Sequence, residues 1–174
     1  IPCAACYGRF RAAEKEMLAR RGAAASKQNF RVLNLLEFIV TSELSEKIRA
    51  LLKRPLKGLK VAPFYGCYML RPAEILQFES HDNPTSLEKL ISVLGGEPLH
   101  YEGETKCCGF PILFVQRGTA FQMAATYINN AKKAGADLMV TPCPLCHISL
   151  DLYQKKALKQ IHVNVNLPVV HVSQ

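Results

Sequence analysis

The sequence predicts an α/β domain: a short parallel sheet flanked by helices, with a ligand site at the carboxyl ends of its strands. Three observations predict it. From Leu59 onward, short apolar runs alternate with amphipathic stretches, the pattern of a parallel sheet covered by helices. Three groups of cysteines each follow one of those short runs, at the sheet edge where open α/β folds bind their ligands. The chain is long enough for a core: it has 174 residues, 49% apolar and 21% charged.

The elements follow in order. Gly8 to Arg21 is rich in helix formers, with Phe10, Ala13 and Met17 at i, i+3, i+7, and Gly22–Ser26 reads as a break. Val32, Leu35, Leu36 and Ile39 repeat at helical spacing. Leu44, Ile48, Leu51 and Leu52 do so again after a Thr41 or Ser42 cap, stopping before Pro55. Leu59–Phe64 is a buried strand that delivers Tyr65-Gly66-Cys67-Tyr68 into a loop, and residues 71–84 read mainly as loop. Thr85 and Glu88 form a capping box for a helix with Leu87, Leu90, Ile91 and Leu94 on one face and Gly95-Gly96 as its stop. A short strand near Pro98–Tyr101 precedes Cys107-Cys108-Gly109. The next helix turns Phe121, Ala124, Ala125 and Ile128 inward and ends at Lys132-Lys133 before Gly135. Leu138–Val140 is a strand, a helix runs from Pro144 to about Lys159, and Val169–Val172 is the last strand.

Seven cysteines cannot close into disulfides within one chain. No run approaches the ~18 apolar residues of a membrane helix, and the start, Ile1-Pro2-Cys3, is no signal peptide. These features lead us to expect a cytoplasmic protein whose cysteines do chemistry. The start and the end, Leu167–Gln174, both read as cuts. Net charge is +8, with basic residues scattered and no nucleic-acid motif, so nucleic acid is not an expected partner.

The cysteines read as a metal site. Cys67 is followed after 39 residues by Cys107-Cys108, and after 34 more by Cys143-x-x-Cys146. Thiolate is a soft ligand suited to iron–sulfur clusters and zinc. Cys143 and Cys146 fall where a helix begins, with Pro144 near its first position, and free amides there favour thiolate. Gly66 and Gly109 would let the backbone pass close to a bulky inorganic group. Adjacent cysteines are unusual for mononuclear zinc, and five thiolates exceed its four positions. Zinc on four of the five remains the alternative, in a structural or redox-sensing domain.

The order Tyr65-Gly66-Cys67, Cys107-Cys108-Gly109, Thr141-Pro142-Cys143-Pro144-Leu145-Cys146 resembles the cysteine-rich "CCG" domain, with its nearest likeness in the B subunit of heterodisulfide reductase and relatives from sulfur-oxidising bacteria. Arg71-Pro72, Asp82-Asn83-Pro84-Thr85-Ser86 and Leu150-Asp151-Leu152-Tyr153-Gln154 extend the likeness, which spans residues 59–174. Phe110-Pro111 departs from the small residue often found after the doublet. The family carries two such domains in tandem. The resemblance therefore implies a division at residues 1–54, the end of a first CCG domain with a helical linker, and 55–174, the second domain. It implies that Cys67, Cys107, Cys108, Cys143 and Cys146 bind a non-cubane [4Fe–4S] cluster that cleaves or forms a disulfide, and that Cys3 and Cys6 serve a second cluster completed upstream. Implied partners are a ferredoxin-like iron–sulfur subunit, a flavin subunit and a disulfide or thiol substrate. A lactate- or glycolate-oxidising subunit built on the same domain is the rival enzyme reading.

Around that site, His147 follows Cys146 and is a candidate donor to cluster sulfur or proton source; His81 is a weaker one. Tyr65 and Tyr68 read as shielding aromatics. Arg71, Lys106 and Arg117 lie near the cysteine loops, where they would steer an anionic substrate. His100, His162 and His171 read as ordinary histidines.

Overall fold

The computed structural model describes residues 1–21 and 31–174. Its centre is a sheet of four parallel strands, β1 (Lys60–Pro63), β2 (Glu97–Pro98), β3 (Leu138–Thr141) and β4 (Val169–His171), in the order β2-β1-β3-β4. Val61, Ala62, Met139 and Val140 are all buried, the continuous rather than alternating burial of strands covered on both faces. The helices are α1 (Ala4–Arg21), α2 (Leu35–Ile39), α3 (Ser42–Leu51), α4 (Ala73–Leu76), α5 (Ser86–Val93), α6 (Arg117–Lys133), α7 (Pro144–His147) and α8 (Gln154–Gln160). α5 packs on β1 and β2, with α2 and α3 outside it, whereas α6 packs on α8. The predicted α/β class, with a short parallel sheet between helices, is the observed one.

The strand order fixes where a ligand can sit. The chain leaves β1 for β2 on one side and then crosses back to β3 on the other. The crevice between the carboxyl ends of β1 and β3 is thus the topological switch point of the sheet.

The inward residues of α5 (Leu87, Leu90, Ile91) and α6 (Phe121, Ala124, Ala125, Ile128) are those the periodicity names. Elsewhere the structure corrects the sequence reading. α1 begins at Ala4, so Cys6 lies inside it, and its predicted inner stripe faces out: Phe10 is 57% exposed while Ala4 and Tyr7 are buried. The burial belongs to the first turns because Tyr7 Oη donates to Glu37 Oε2 at 3.1 Å, tying α1 to α2. Val32 is not helical, because Asn34 Oδ1 accepts from Leu36 N at 2.9 Å and starts α2 there. Leu51 is 78% exposed rather than inward. The expected break at Gly22–Ser26 lies outside the described residues. The 71–84 segment carries α4, after a cis Arg71-Pro72 peptide. The Thr85–Glu88 capping box is replaced: Glu79 accepts from Thr85 N, Ser86 N and Ser86 Oγ at 2.9, 3.1 and 2.6 Å. Glu88 instead bonds the Tyr65 hydroxyl. The last predicted helix is interrupted by a π-helical turn at Ile148–Leu152.

Gln154 anchors the chain leading to β4. It is buried, its Nε2 donates to Leu150 O at 2.9 Å and Leu167 O at 2.8 Å, and its Oε1 accepts from Leu167 N at 3.0 Å. Gln154→Leu is expected to cost about 2–4 kcal/mol by stranding both backbone groups of Leu167. The expected readout is a lower urea midpoint with an unchanged slope.

Candidate metal centre

Each cysteine group sits at the switch-point edge for a local reason. After β1 the ladder continues one step, Phe64 N donating to Val140 O at 2.8 Å. The chain then turns at Gly66, whose φ is +69°. A Cβ there would lie 2.8 Å from Cys146 Sγ, so the absent side chain is what lets two cysteine loops meet. Gly109 (φ +85°) serves another purpose than the one expected: its missing Cβ would strike the backbone of Ala120 on α6. It seats the Cys107-Cys108 loop against a helix rather than against the site. After β3, Cys143 precedes Pro144, the first residue of α7, and Cys146 lies inside that helix. Arg71 Nη1 donates to Thr105 O at 3.1 Å and so ties the Cys67 loop to the Cys107 loop.

The sulfurs of Cys67, Cys107, Cys108, Cys146 and Cys143 form a string in that order, each near enough to shift its neighbour's proton affinity. Cys108, Cys143 and Cys146 are buried, whereas Cys67 and Cys107 are partly exposed. Without metal the string holds its charge in two places. Hydrogen bonds from Cys108 and Cys67 pull the Cys107 thiol down to about 2. The Cys146 thiol, then the amides of Cys146, Leu145 and Ala5, draw Cys143 to about 6 against its burial. Cys108 is pushed up to about 12, first by its bond to Cys107. Cys67 and Cys146 are also raised, by hydrogen bonds to neighbouring sulfur and by burial. Metal binding therefore expels protons from the three raised thiols.

The low value at Cys107 gives a test. A depressed thiol stays ionised, and nucleophilic, below the pH at which an ordinary thiol is protonated. In metal-free protein at pH 5, iodoacetamide is expected to label Cys107 first, read by peptide mass spectrometry. The preference should fade as the pH rises and other thiols ionise.

Sulfur spacing discriminates between metals. Tetrahedral thiolates about 2.3 Å from one zinc stand under about 4 Å apart. Among the described residues, no three cysteine sulfurs lie within 4.8 Å of one another.

Of the N-terminal pair, Cys6 is exposed and its amide donates to Cys3 Sγ at 3.3 Å. Cys3 is raised to about 11, chiefly by burial, with smaller contributions from Cys6 and from the charge of Cys143. The structure thus places Cys3 beside the five-sulfur string. His147 turns away from it: Nε2 lies 3.0 Å from Val169 O and 4.0 Å from Asp151, so that nitrogen serves β4 and not a sulfur. His81 pairs with Asp82 at the surface. Lys106 and Arg117 are exposed. Tyr65 is buried and Tyr68 is 39% exposed.

Sequence reasoning missed two tyrosines. The Tyr101 hydroxyl is buried without a partner, and its proton is held tightly by burial and by the nearby charge of Glu104. Tyr127 is raised by burial and by Cys107 and Cys108. No spacing rule connects either to the cysteines.

The family model of the CCG cysteine-rich domain matches residues 61–151, which takes in all five sulfurs of the string. The chain belongs to the CCG family. This CCG chain is 37% identical over 182 aligned positions to the 8-methylmenaquinol:fumarate reductase membrane anchor subunit of Wolinella succinogenes, covering 99% of this chain and 63% of that protein. It is 35% identical to a protein of Archaeoglobus profundus named as like the B subunit of heterodisulfide reductase, over 74% of this chain and 44% of the relative. It is 26% identical to the B subunit of the ferredoxin/F(420)H(2)-dependent CoB-CoM heterodisulfide reductase of Methanosarcina acetivorans, over 82% and 48%. The CCG chain thus spans between under half and under two thirds of the relatives it matches. A crystal structure of a hypothetical protein from Helicobacter pylori shares the fold at TM-score 0.52 and 17% identity, over 74% of this chain and 23% of its own.

One expectation is overturned. The cytoplasmic reading gives way, because the relative aligned over 99% of the CCG chain is named a membrane anchor subunit. No helix among the described residues is long and apolar enough to cross a membrane.

Proposed function

We propose that this chain is the cysteine-rich part of an iron–sulfur subunit in a multi-subunit oxidoreductase, with Cys67, Cys107, Cys108, Cys143 and Cys146 holding a non-cubane [4Fe–4S] cluster for disulfide chemistry. The observation that carries this reading is the string of five cysteine sulfurs that three loops bring together at the switch point, one more than a single tetrahedral zinc holds. Such a cluster supplies electrons and an iron that accepts a thiolate.

This chain's own residues contribute the setting. Cys108, Cys143 and Cys146 close the floor of the site to water, whereas Cys67 and Cys107 face its partly open side. Substrate sulfur would approach past those two. Reducing a disulfide to two thiols consumes two electrons and two protons. Tyr127, whose hydroxyl keeps its proton at neutral pH beside Cys107 and Cys108, would be a hydrogen-bond donor to a developing thiolate. Residues 1–54 are read as the end of a preceding CCG domain, whose Cys3 and Cys6 would serve a second cluster beside the first. The electron partners are a ferredoxin-like iron–sulfur subunit and a flavin subunit.

The Wolinella relative favours a second reading, in which the same cysteines pass electrons between a quinol and a reductase. One experiment separates the two. The intact complex, purified anaerobically, is analysed for iron and sulfide, examined by electron paramagnetic resonance, and assayed with a reduced dye plus disulfide and with a quinol analogue plus fumarate. About four iron per five-cysteine site with disulfide turnover supports the first reading. Quinol–fumarate turnover alone supports the second, and stoichiometric zinc without iron overturns both.

A further inference from the structure

Outside the cysteine string, three side chains from separate segments converge on one point. Glu88 stands in the first turn of α5, His100 just after β2, and Glu104 in the loop before the cysteine doublet. One ligand atom from each lies within 4.8 Å of the others, the one such grouping of histidine, cysteine and carboxylate side chains among the described residues. His100 Nδ1 is 3.3 Å from Glu104 Oε1, and the second oxygen of Glu88 is bound by the Tyr65 hydroxyl.

What these contacts leave over is the telling part. Glu88 Oε1 and Glu104 Oε2 are both shut off from water and have no hydrogen-bond partner, and the Tyr101 hydroxyl beside Glu104 is buried and unpartnered as well. Two carboxylates facing each other, each with a desolvated orphan oxygen, are costly unless a positive charge sits between them. An exposed imidazole hydrogen-bonded to one of them compensates only in part.

We propose that Glu88, His100 and Glu104 form a second metal site, binding one divalent first-row transition cation such as Mn²⁺, Fe²⁺ or Zn²⁺ through two carboxylates and one imidazole. The imidazole nitrogen weighs against Ca²⁺ and Mg²⁺, which take oxygen ligands. The positions also state a role. Glu104 O accepts from Tyr65 N at 2.8 Å and Gly66 N at 3.4 Å, immediately before Cys67, and Glu88 holds Tyr65 by its ring hydroxyl. A cation here clamps α5, the end of β2 and the loop leading to Cys107 into one unit, fixing the Cys67 loop from behind.

The site shares no ligand with the cysteine string, so Mn²⁺ binding here is read separately from whatever the cysteines hold. Mn²⁺ is titrated into the anaerobically purified full-length protein with its cysteine site loaded, and free Mn²⁺ is followed by its six-line paramagnetic resonance signal. One saturable Mn²⁺ per chain is expected, with Glu104→Gln and His100→Asn each weakening it by about tenfold or more. His100 is largely exposed, so its variant folds even where the glutamine variant does not. Absence of saturable binding, or binding in His100→Asn equal to that of the parent, overturns the proposal.

Discussion

Cys108→Ser is expected to yield a folded protein that has lost its metal, with iron and sulfide falling from about four to below about one per chain on anaerobic analysis. Cys108 is the middle sulfur of the string, buried and flanked by Cys107 on one side and Cys146 on the other. Serine keeps nearly the same volume, so the fold loses little. Its hydroxyl is a hard and weakly acidic ligand, and its shorter C–O bond pulls the donor atom back from the metal. No sixth described cysteine can take its place: Cys6 is exposed and Cys3 lies beyond Cys143. His147→Ala is the matched control. It keeps its iron, because the Nε2 of that histidine is spent on Val169 O. Equal iron in the parent and Cys108→Ser would falsify the assignment of the doublet as ligand.

Gly109→Ala is expected to be strongly damaging, at about 3 kcal/mol or more. Two costs add. The residue sits at φ +85°, where an L side chain costs about 1–2 kcal/mol. Its Cβ would stand 2.7 Å from Ala120 O and 2.8 Å from Ala120 Cα, and helix backbone cannot swing aside as a side-chain tip can. Relief would come only by lifting the cysteine doublet off α6, so cluster content should fall along with stability. Gly135→Ala separates the two costs: its φ is +99° but nothing lies within 4 Å, so only the backbone penalty of about 1–2 kcal/mol remains. Thermal unfolding of the two variants side by side measures the difference. Equal losses would mean that the contact with Ala120 carries no weight.

These expectations rest on parts of the molecule that were legible to different degrees. The strands were legible because β1 and β3 are short apolar runs bounded by glycine or proline, and a parallel sheet leaves no polar face to confuse the pattern. The five cysteines were legible because placing each group after a strand already places it on one edge. Helix periodicity worked where a helix meets the sheet, as in α5 and α6. It failed in α1, where a stripe at the right spacing faces outward because contact with α2 through Tyr7 and Glu37 sets the orientation. Capping was misjudged because Glu79, six residues before Thr85, took the role given to Thr85 and Glu88. The carboxylate–histidine cluster was invisible for a simpler reason: Glu88, His100 and Glu104 belong to no spacing motif, and only the return of the chain past β2 brings them together.

The order of the strands also dictates an order of events in time. The Cys67 loop meets Cys146 only because β1 pairs directly with β3, and the whole of α5, β2 and α6 lies between them in the chain. An extended chain would have to close that long span before Cys67 and Cys146 could hold the same inorganic group, at an entropic cost the local segments do nothing to reduce. Pairings between such distant segments form late and slowly. The polypeptide must therefore reach its topology first and receive iron afterwards. Refolding in the presence of iron and sulfide should then proceed no faster than refolding without them, while the loaded protein unfolds more slowly than the metal-free one.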